Sequence, residues 1–276
     1  MSEFAKEVTK GDRFEFGKNW QQFLTTLDDK RVEEAEASLK QMLGVTSLDG
    51  KQFLDIGSGS GLFSLVARRL GARVTSFDYD PHSVACTKEL RKRYFSEDSN
   101  WTVQEGSVLD ETFLETLGQF DVVYSWGVLH HTGQMWNAIG NAANRVAPGG
   151  QFFIAIYNDQ GWASKVWLWW KQSYNRLPPS LRFLVIYPCF VRLWLPTTIK
   201  DILRGKPFQT WRSYHIRRGM SGWHDVIDWV GGYPFEVAST EKIVEFLRPL
   251  GFEPLEVKSC GKGHGCNEFV LRRVEK

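Results

Sequence analysis

Two imidazoles stand side by side in VVYSWGVLHHTG, residues 122 to 133, where an apolar run gives way to Trp126, a glycine, and then His130 and His131. Imidazole takes up and releases protons near neutral pH without help from its surroundings, so a histidine here suits removal of a proton from a bound hydroxyl. A second set of residues points to what is bound. In LDIGSGSG, residues 54 to 61, Gly57, Gly59 and Gly61 let the backbone turn sharply and approach a ligand with no Cβ in the way. Asp78 follows 21 residues after Gly57, close to the roughly 20 at which a carboxylate meets a ribose diol beside such a loop. Together the loop and the acid imply a nucleotide-like ligand.

Of the two histidines, one is expected to face the pocket and the other to hydrogen-bond within the sheet or helix start. His131, nearer the Thr132-Gly133 turn, is taken as the pocket residue. The competing view is that both satisfy backbone groups at the strand end. His224 in GWHDVIDW is a further candidate. Positions 224 and 228 share a helical face, so Asp228 could orient the imidazole; equally, His224, Asp225 and Asp228 could form a solvated capping cluster. Cys260, His264 and Cys266 in CGKGHGCNEF fall short of a closed zinc site. Their glycines suit a hairpin turn, and no metal is expected.

The elements that must hold these residues alternate. KQFLDI (51–56), ARVTSF (72–77), WTVQEG (101–106), FDVVYSW (120–126) and QFFIAIY (151–157) predict strands, the last entered through the turn Pro148-Gly149-Gly150. Helical patterns lie between them at 62–70, 81–95, 110–117 and 134–146, with Asp80-Pro81 as N-cap and first helical residue of the second. After a break of about eighty residues come a helix (239–250) and two strands, FEPLEVKS and NEFVLRRV. This rhythm predicts a seven-stranded, doubly wound, Rossmann-like α/β sheet. Val32, Ala35, Leu39 and Met42 at helical spacing predict an N-terminal helix packed on it. The expected organisation is an N-terminal helical segment (1–50), a cofactor-binding core (51–157), an inserted helical cap (158–238) and a C-terminal helix and strands completing the core (239–276).

A dinucleotide fingerprint, G-x-G-x-x-G, needs glycine where this chain has Leu62, which disfavours a nicotinamide-dependent oxidoreductase. The pattern is D-x-G-x-G-x-G, and with Asp78 and the PGG turn it resembles the class I S-adenosylmethionine-dependent methyltransferases over roughly two thirds of the chain. The resemblance implies S-adenosylmethionine as cofactor, its methionyl part on Asp55, Gly57, Gly59 and Gly61 and its ribose on Asp78, with Tyr79 and Trp126 also lining the site. Where that family often has an aspartate after strand three, this chain has Ser107, so Ser107 and Val108 are the expected adenine contacts. VLHHTG is similar to the small-molecule (quinone, sterol and sugar type) O-methyltransferases, which implies a small hydroxylated acceptor. A catalytically silent binding subunit of the same fold is the other rival.

Composition agrees with a soluble enzyme: 42% hydrophobic and 24% charged residues are those of a globular protein. The N-terminus carries no apolar signal-peptide core, and no stretch reaches the roughly 18 uninterrupted apolar residues of a spanning helix. Cys86 and Cys189 read as packed thiols of a reduced compartment. A cytoplasmic location is expected. The net charge of +2 is too small to argue for nucleic acid, but it is unevenly spread. Residues 158–238 hold eight of the twelve tryptophans, and eleven Lys and Arg against five Asp and Glu, so this piece is +6 and the remainder −4. It is expected to fold over the mouth of the cofactor site, with Tyr157, Asn158, Arg218 and Tyr233 meeting a polar acceptor. Trp162, Val166, Trp169 and Trp170 share one helical face, and LRFLVIYPCFVRLWLP (181–196) follows with more apolar bulk flanked by Arg182 and Arg192; these aromatics either bury themselves against the domain or a second copy in a homodimer, or with their basic neighbours meet an anionic membrane peripherally.

Overall fold

Two-sided burial of the strands dictates the architecture. In β1 (Gln52–Ile56) every residue after Gln52 is buried. Phe53 enters one apolar cluster with Leu39, Val66 and Trp101, while Leu54 and Ile56 enter another with Leu129, Ile139 and Ile154. Alternate side chains leave a strand on opposite faces, so helices must cover both sides of the sheet.

The computed structural model describes residues 2–212, 222–261 and 263–274. The strands that follow β1 are β2 (Arg73–Asp78), β3 (Trp101–Glu105), β4 (Phe120–Trp126), β5 (Val146–Tyr157), β6 (Phe252–Lys258) and β7 (Cys266–Arg273). They form one sheet in the order β3-β2-β1-β4-β5-β7-β6. β1 to β5 are parallel, and β7 runs antiparallel between β5 and β6. The strand order reverses between β1 and β4, and such a switch point leaves a crevice at the carboxyl ends of the two strands.

Three helices precede the sheet, α1 (Glu3–Lys10), α2 (Gly17–Thr26) and α3 (Asp29–Leu43). The buried residues of α3 include Val32, Ala35, Leu39 and Met42, the positions that the spacing selects. Between the strands lie α4 (Leu62–Arg69), α5 (Pro81–Phe95), α6 (Glu111–Leu117) and α7 (Met135–Ala143); after β5 come α8 (Trp162–Arg176), α9 (Phe183–Leu203), α10 (Gly222–Gly231) and α11 (Thr240–Leu247). Asp80 caps α5 by accepting from the His82 N–H, with Pro81 at the first helical position. β5 starts earlier than the sequence predicts. Its register against β4 slips between Phe120 and Val122, a bulge that lets Pro148-Gly149-Gly150 run inside the strand, with Gly149 at φ 74°.

The chain divides into two compact units, Gly17–Gln160 with Glu236–Lys276 around the sheet, and Met1–Phe16 with Gly161–Phe235. Within the second, the buried face of α8 is Ser164, Trp167, Lys171, Tyr174 and Asn175. The expected aromatic stripe points the other way: Trp162 and Trp169 are 79% and 59% exposed. Lys171 is buried, donates to the Trp229 carbonyl and has the rings of Trp229 and Phe235 at 4.5 and 4.7 Å. Burial draws its ammonium down to about 7. Asn175 locks the same face by donating to the Gly231 carbonyl at 2.7 Å.

Candidate functional site

The glycine loop between β1 and α4 is shaped by three left-handed glycines, Gly57, Gly59 and Gly61, at φ 75°, 54° and 83°. Side chains rarely tolerate that conformation, and here the space is also taken. A Cβ on Gly57 would lie 2.4 Å from a Val128 methyl, and one on Gly61 would lie 2.9 Å from the Thr87 Cα. The loop is pinned on both sides. Gly57 and Ser58 donate backbone N–H to the Phe77 carbonyl at 2.8 and 3.1 Å, and the Ser58 hydroxyl meets that of Thr87 at 2.9 Å.

Asp78 ends β2 beside this loop. Its Oδ2 accepts from the Gly59 N–H and its Oδ1 from the Asp80 N–H, both at 2.9 Å. The residue is ringed by protein atoms yet keeps part of its surface open, and a carboxylate has about four lone-pair sites, more than the backbone N–H groups around it use. Burial raises its pKa to about 6 against the pull of the Asp80, Gly59 and Tyr79 backbone N–H groups. A half-buried acid with acceptor capacity to spare, next to a Cβ-free turn, fits a ribose diol and the chain attached to it, so the residues present match the expected cofactor. Ser107 stands near it, since the Gly106 N–H donates to the Asp78 carbonyl at 3.0 Å. The Ser107 hydroxyl accepts from the Leu109 N–H at 3.2 Å, and Val108 is buried. Tyr79 is half-buried between Asp78 and Asp80.

Asp55 sits lower. Its carboxyl accepts from the Ser64 hydroxyl, Ser64 meets Ser76 at 2.7 Å, and the Trp101 indole donates to Ser76 at 2.9 Å. With Ser64 donating to Asp55, Ser76 must donate to Ser64, so the donors run in series from Trp101 to the acid. Burial pushes Asp55 up to about 7, and the charge of Asp78 adds to it. Ser64→Ala removes the donor to a buried acid and the acceptor of Ser76. A loss of about 1–3 kcal/mol is expected, read as a lower urea midpoint at unchanged slope.

The histidine pair lies on a single 3-10 turn, Leu129–His131, after β4. His130 is buried, its ring centroid 3.9 Å from that of Tyr157. Its Nδ1 accepts from the Tyr157 N–H at 3.3 Å, which makes Nε2 the protonated nitrogen of the neutral ring. His131, also buried, lies 4.5 Å from the His130 ring and edge-on to Tyr157 at 5.3 Å. The turn is stapled by Glu236, whose N–H donates to the His130 carbonyl at 3.0 Å and whose carboxylate accepts from the Met135 N–H at 2.9 Å.

Several expected residues lie elsewhere. Trp126 is drawn across Ala155 to β7, where its indole donates to Glu268 at 2.8 Å; the residue brought against Gly57 is Val128. Asn158 commits both ends of its amide, donating to the Gly261 carbonyl at 2.7 Å and accepting from Asn267 at 3.0 Å, so it anchors the loop between β6 and β7. That loop holds Cys260, whose thiol donates to the Gly263 carbonyl at 3.5 Å. Tyr233 belongs to the other unit, where its carbonyl accepts from the Phe14 N–H at 2.9 Å. Arg218 and the His224 side chain lie outside the described residues.

Two contributors escaped the sequence. Trp20 of α2 covers the loop, its indole 3.1 Å from where a Gly59 Cβ would be. The Gly17 N–H donates to Asp80 at 2.7 Å, 63 residues away. Neither pairing has a local signal, because it joins an N-terminal helix to a strand end.

Comparison with known proteins agrees with this arrangement. A family model described as a methyltransferase domain matches residues 27–212. A ubiquinone biosynthesis O-methyltransferase of Methylobacterium sp. (strain 4-46) is 33% identical over 116 residues, which are 42% of this chain and 45% of that protein. Its counterpart in Xanthomonas campestris pv. campestris (strain B100) is 28% identical over 173 residues, 60% of this chain and 70% of its own. The chain therefore spans about half the length of the first of these relatives. Magnesium protoporphyrin IX methyltransferase from Synechocystis PCC 6803, solved with bound SAH, superposes with a TM-score of 0.52 at 13% identity, covering 88% of this chain and 83% of that one. At that identity the likeness speaks for the fold.

Proposed function

This chain belongs to the methyltransferase-domain family, and from that membership we propose that it is an S-adenosylmethionine-dependent methyltransferase acting on a hydroxyl oxygen of a small molecule. The observation that carries this reading is the half-buried Asp78, its carboxylate accepting from the Gly59 N–H of the left-handed glycine loop. The named relatives act in ubiquinone biosynthesis, which favours a quinol-like acceptor over a sugar. Such an acceptor carries an apolar tail. A cytoplasmic enzyme that meets the membrane peripherally through the segment 158–238 suits it better than one that pairs with its own copy there.

When bound, the cofactor supplies a methyl group already activated on a sulfonium. The protein's share is binding, alignment and one proton. Gly57, Gly59 and Gly61 admit the methionyl chain at close range, Asp78 accepts from the ribose hydroxyls, and Ser107 and Val108 flank the adenine. Asp55 acts beneath the loop by holding α4 to β1 through Ser64. The His131 imidazole takes the acceptor's hydroxyl proton, held upright by His130 and Tyr157. Alignment of this kind is worth up to roughly 7–11 kcal/mol in favourable cases.

Asp78 makes the pH dependence testable. Its folded pKa, about 6, lies above the ordinary 3.8, so the free protein carries a neutral acid below pH 6 and a carboxylate above it. Ribose hydroxyls donate to the carboxylate, so affinity for S-adenosylhomocysteine should climb through about pH 6 and level off. Asp78→Asn should flatten that rise and cost about 1.5–3 kcal/mol of binding. The sign for stability is the reverse. A raised acid favours folding below its unfolded pKa and withdraws that support as pH passes the folded one, so Asp78 and Asp55 together lower the free protein's stability between about pH 4 and pH 7. Calorimetric titration with S-adenosylhomocysteine and with NAD is the direct test. Binding of NAD alone, or a pH-independent affinity unaltered in Asp78→Asn, would sink the assignment.

A further inference from the structure

α9 is 21 residues long, and the protein covers one side of it. Val185, Ile186, Cys189, Trp194 and Asp201 are buried. Leu184, Tyr187, Val191, Leu195, Ile199 and Ile202, spaced by three or four, are each 46–58% exposed. They form a continuous apolar row along the helix. The next row over is Pro188, Arg192, Pro196 and Lys200, all exposed. Between positions 177 and 212 there are six basic residues and one acid, Asp201. That acid is buried and accepts from the Thr210 N–H and hydroxyl at 2.8 and 2.9 Å. Every formal charge this segment presents outward is therefore positive.

We propose that the outward face of α9 docks onto the surface of an anionic lipid bilayer, the apolar row entering the acyl boundary while Arg192, Lys200 and Arg204 meet headgroup phosphates. This deepens the proposed function by naming the surface that reaches a membrane-dissolved acceptor. Water tolerates scattered apolar side chains but not a continuous row of this kind without a partner, and apolar bulk beside basic residues is the composition of an interfacial helix. The helix is roughly 30 Å long, enough to cross a bilayer, yet crossing would place Arg192 near mid-membrane and leave the buried side's protein contacts in lipid. Lying in the plane lets Arg192 and Lys200 reach upward along their stems. A second copy fits less well. A two-fold interface sets a patch against itself, here basic rows against basic rows with no outward acid to pair them.

Flotation of the full chain with vesicles tests this without cofactor or acceptor. The protein should float with mixed phosphatidylglycerol–phosphatidylcholine vesicles, release as salt is raised, and stay behind with phosphatidylcholine alone. Val191→Asp with Leu195→Asp should cut partitioning at least about tenfold, and each of Arg192→Gln and Lys200→Gln about fivefold. Calorimetric binding of S-adenosylhomocysteine verifies that each variant is folded; the charge variants and the wild-type salt series decide the matter if the aspartates unfold it. Absence of wild-type flotation overturns the proposal, as does equal, salt-independent binding to both vesicle types. A dimer in sedimentation velocity that the aspartates dissociate, with no vesicle binding, would assign the face to a second copy instead. Loss of methyl transfer with intact flotation would refute the enzyme reading while leaving this surface standing.

Discussion

Replacing His131 with alanine is expected to lower the turnover of methyl transfer by roughly 10²–10⁴-fold, the usual worth of a positioned general base, while affinity for S-adenosylhomocysteine stays near wild type. The split follows from geometry. His131 stands on the turn after β4 against Tyr157, whereas the proposed cofactor contacts belong to the loop after β1, the end of β2 and the turn after β3. His130→Ala should behave differently. Its Nδ1 accepts the Tyr157 N–H, and its ring packs at a tilt of 35° against that of Tyr157, centroids 3.9 Å apart, so its loss orphans a backbone donor and opens a cavity. Stability should fall by about 2–4 kcal/mol, with turnover of the folded fraction changed less. Single-turnover rates and urea midpoints for the two variants separate the roles. The reverse pattern moves the base to His130; normal rates in both mean that neither imidazole takes the proton.

The glycine loop should be the least forgiving part of the chain. Gly57→Ala puts a Cβ into a left-handed backbone at φ 75° and within 2.4 Å of a Val128 methyl. The backbone strain costs about 1–3 kcal/mol and the overpacking about as much again. Relief requires the loop to move. Because the Gly59 N–H holds Asp78, a displaced loop also misaligns the acid, and affinity for S-adenosylhomocysteine should drop by more than roughly 100-fold, the equivalent of about 3 kcal/mol. Gly59→Val should block binding by a different route, forcing its side chain against the Trp20 indole that lies 3.1 Å from the Cβ position. Pairing Gly59→Val with Trp20→Ala should then recover part of the affinity, while the same Trp20 change should do nothing for Gly57→Ala. Calorimetry on the four variants checks this, and equal rescue of both glycine variants would contradict the assigned contacts.

Wherever the deciding interactions are local, the sequence determined the outcome. The alternation of apolar runs with helical patterns, the loop DIGSGSG between β1 and α4, the Asp80-Pro81 helix start, the acid after β2 and the two histidines after β4 are each written within a few residues, since helical and strand periods, caps and left-handed turns depend on near neighbours. Tertiary structure decided which side of an element is buried and what a side chain meets once buried. The aromatic stripe of α8 was legible, but its outward orientation was not, because Trp167, Lys171 and Asn175 face inward for the sake of Trp229 and Gly231, more than fifty residues on. Trp126 could have turned toward the glycine loop; Glu268, 142 residues away, drew it to β7. Asn158 was captured by the loop between β6 and β7. Trp20 over Gly59 and Gly17 on Asp80 left no trace in composition or spacing. Local periodicity states which residues can form a face, and only the competition among distant faces for burial and for hydrogen-bond partners determines which of them is used.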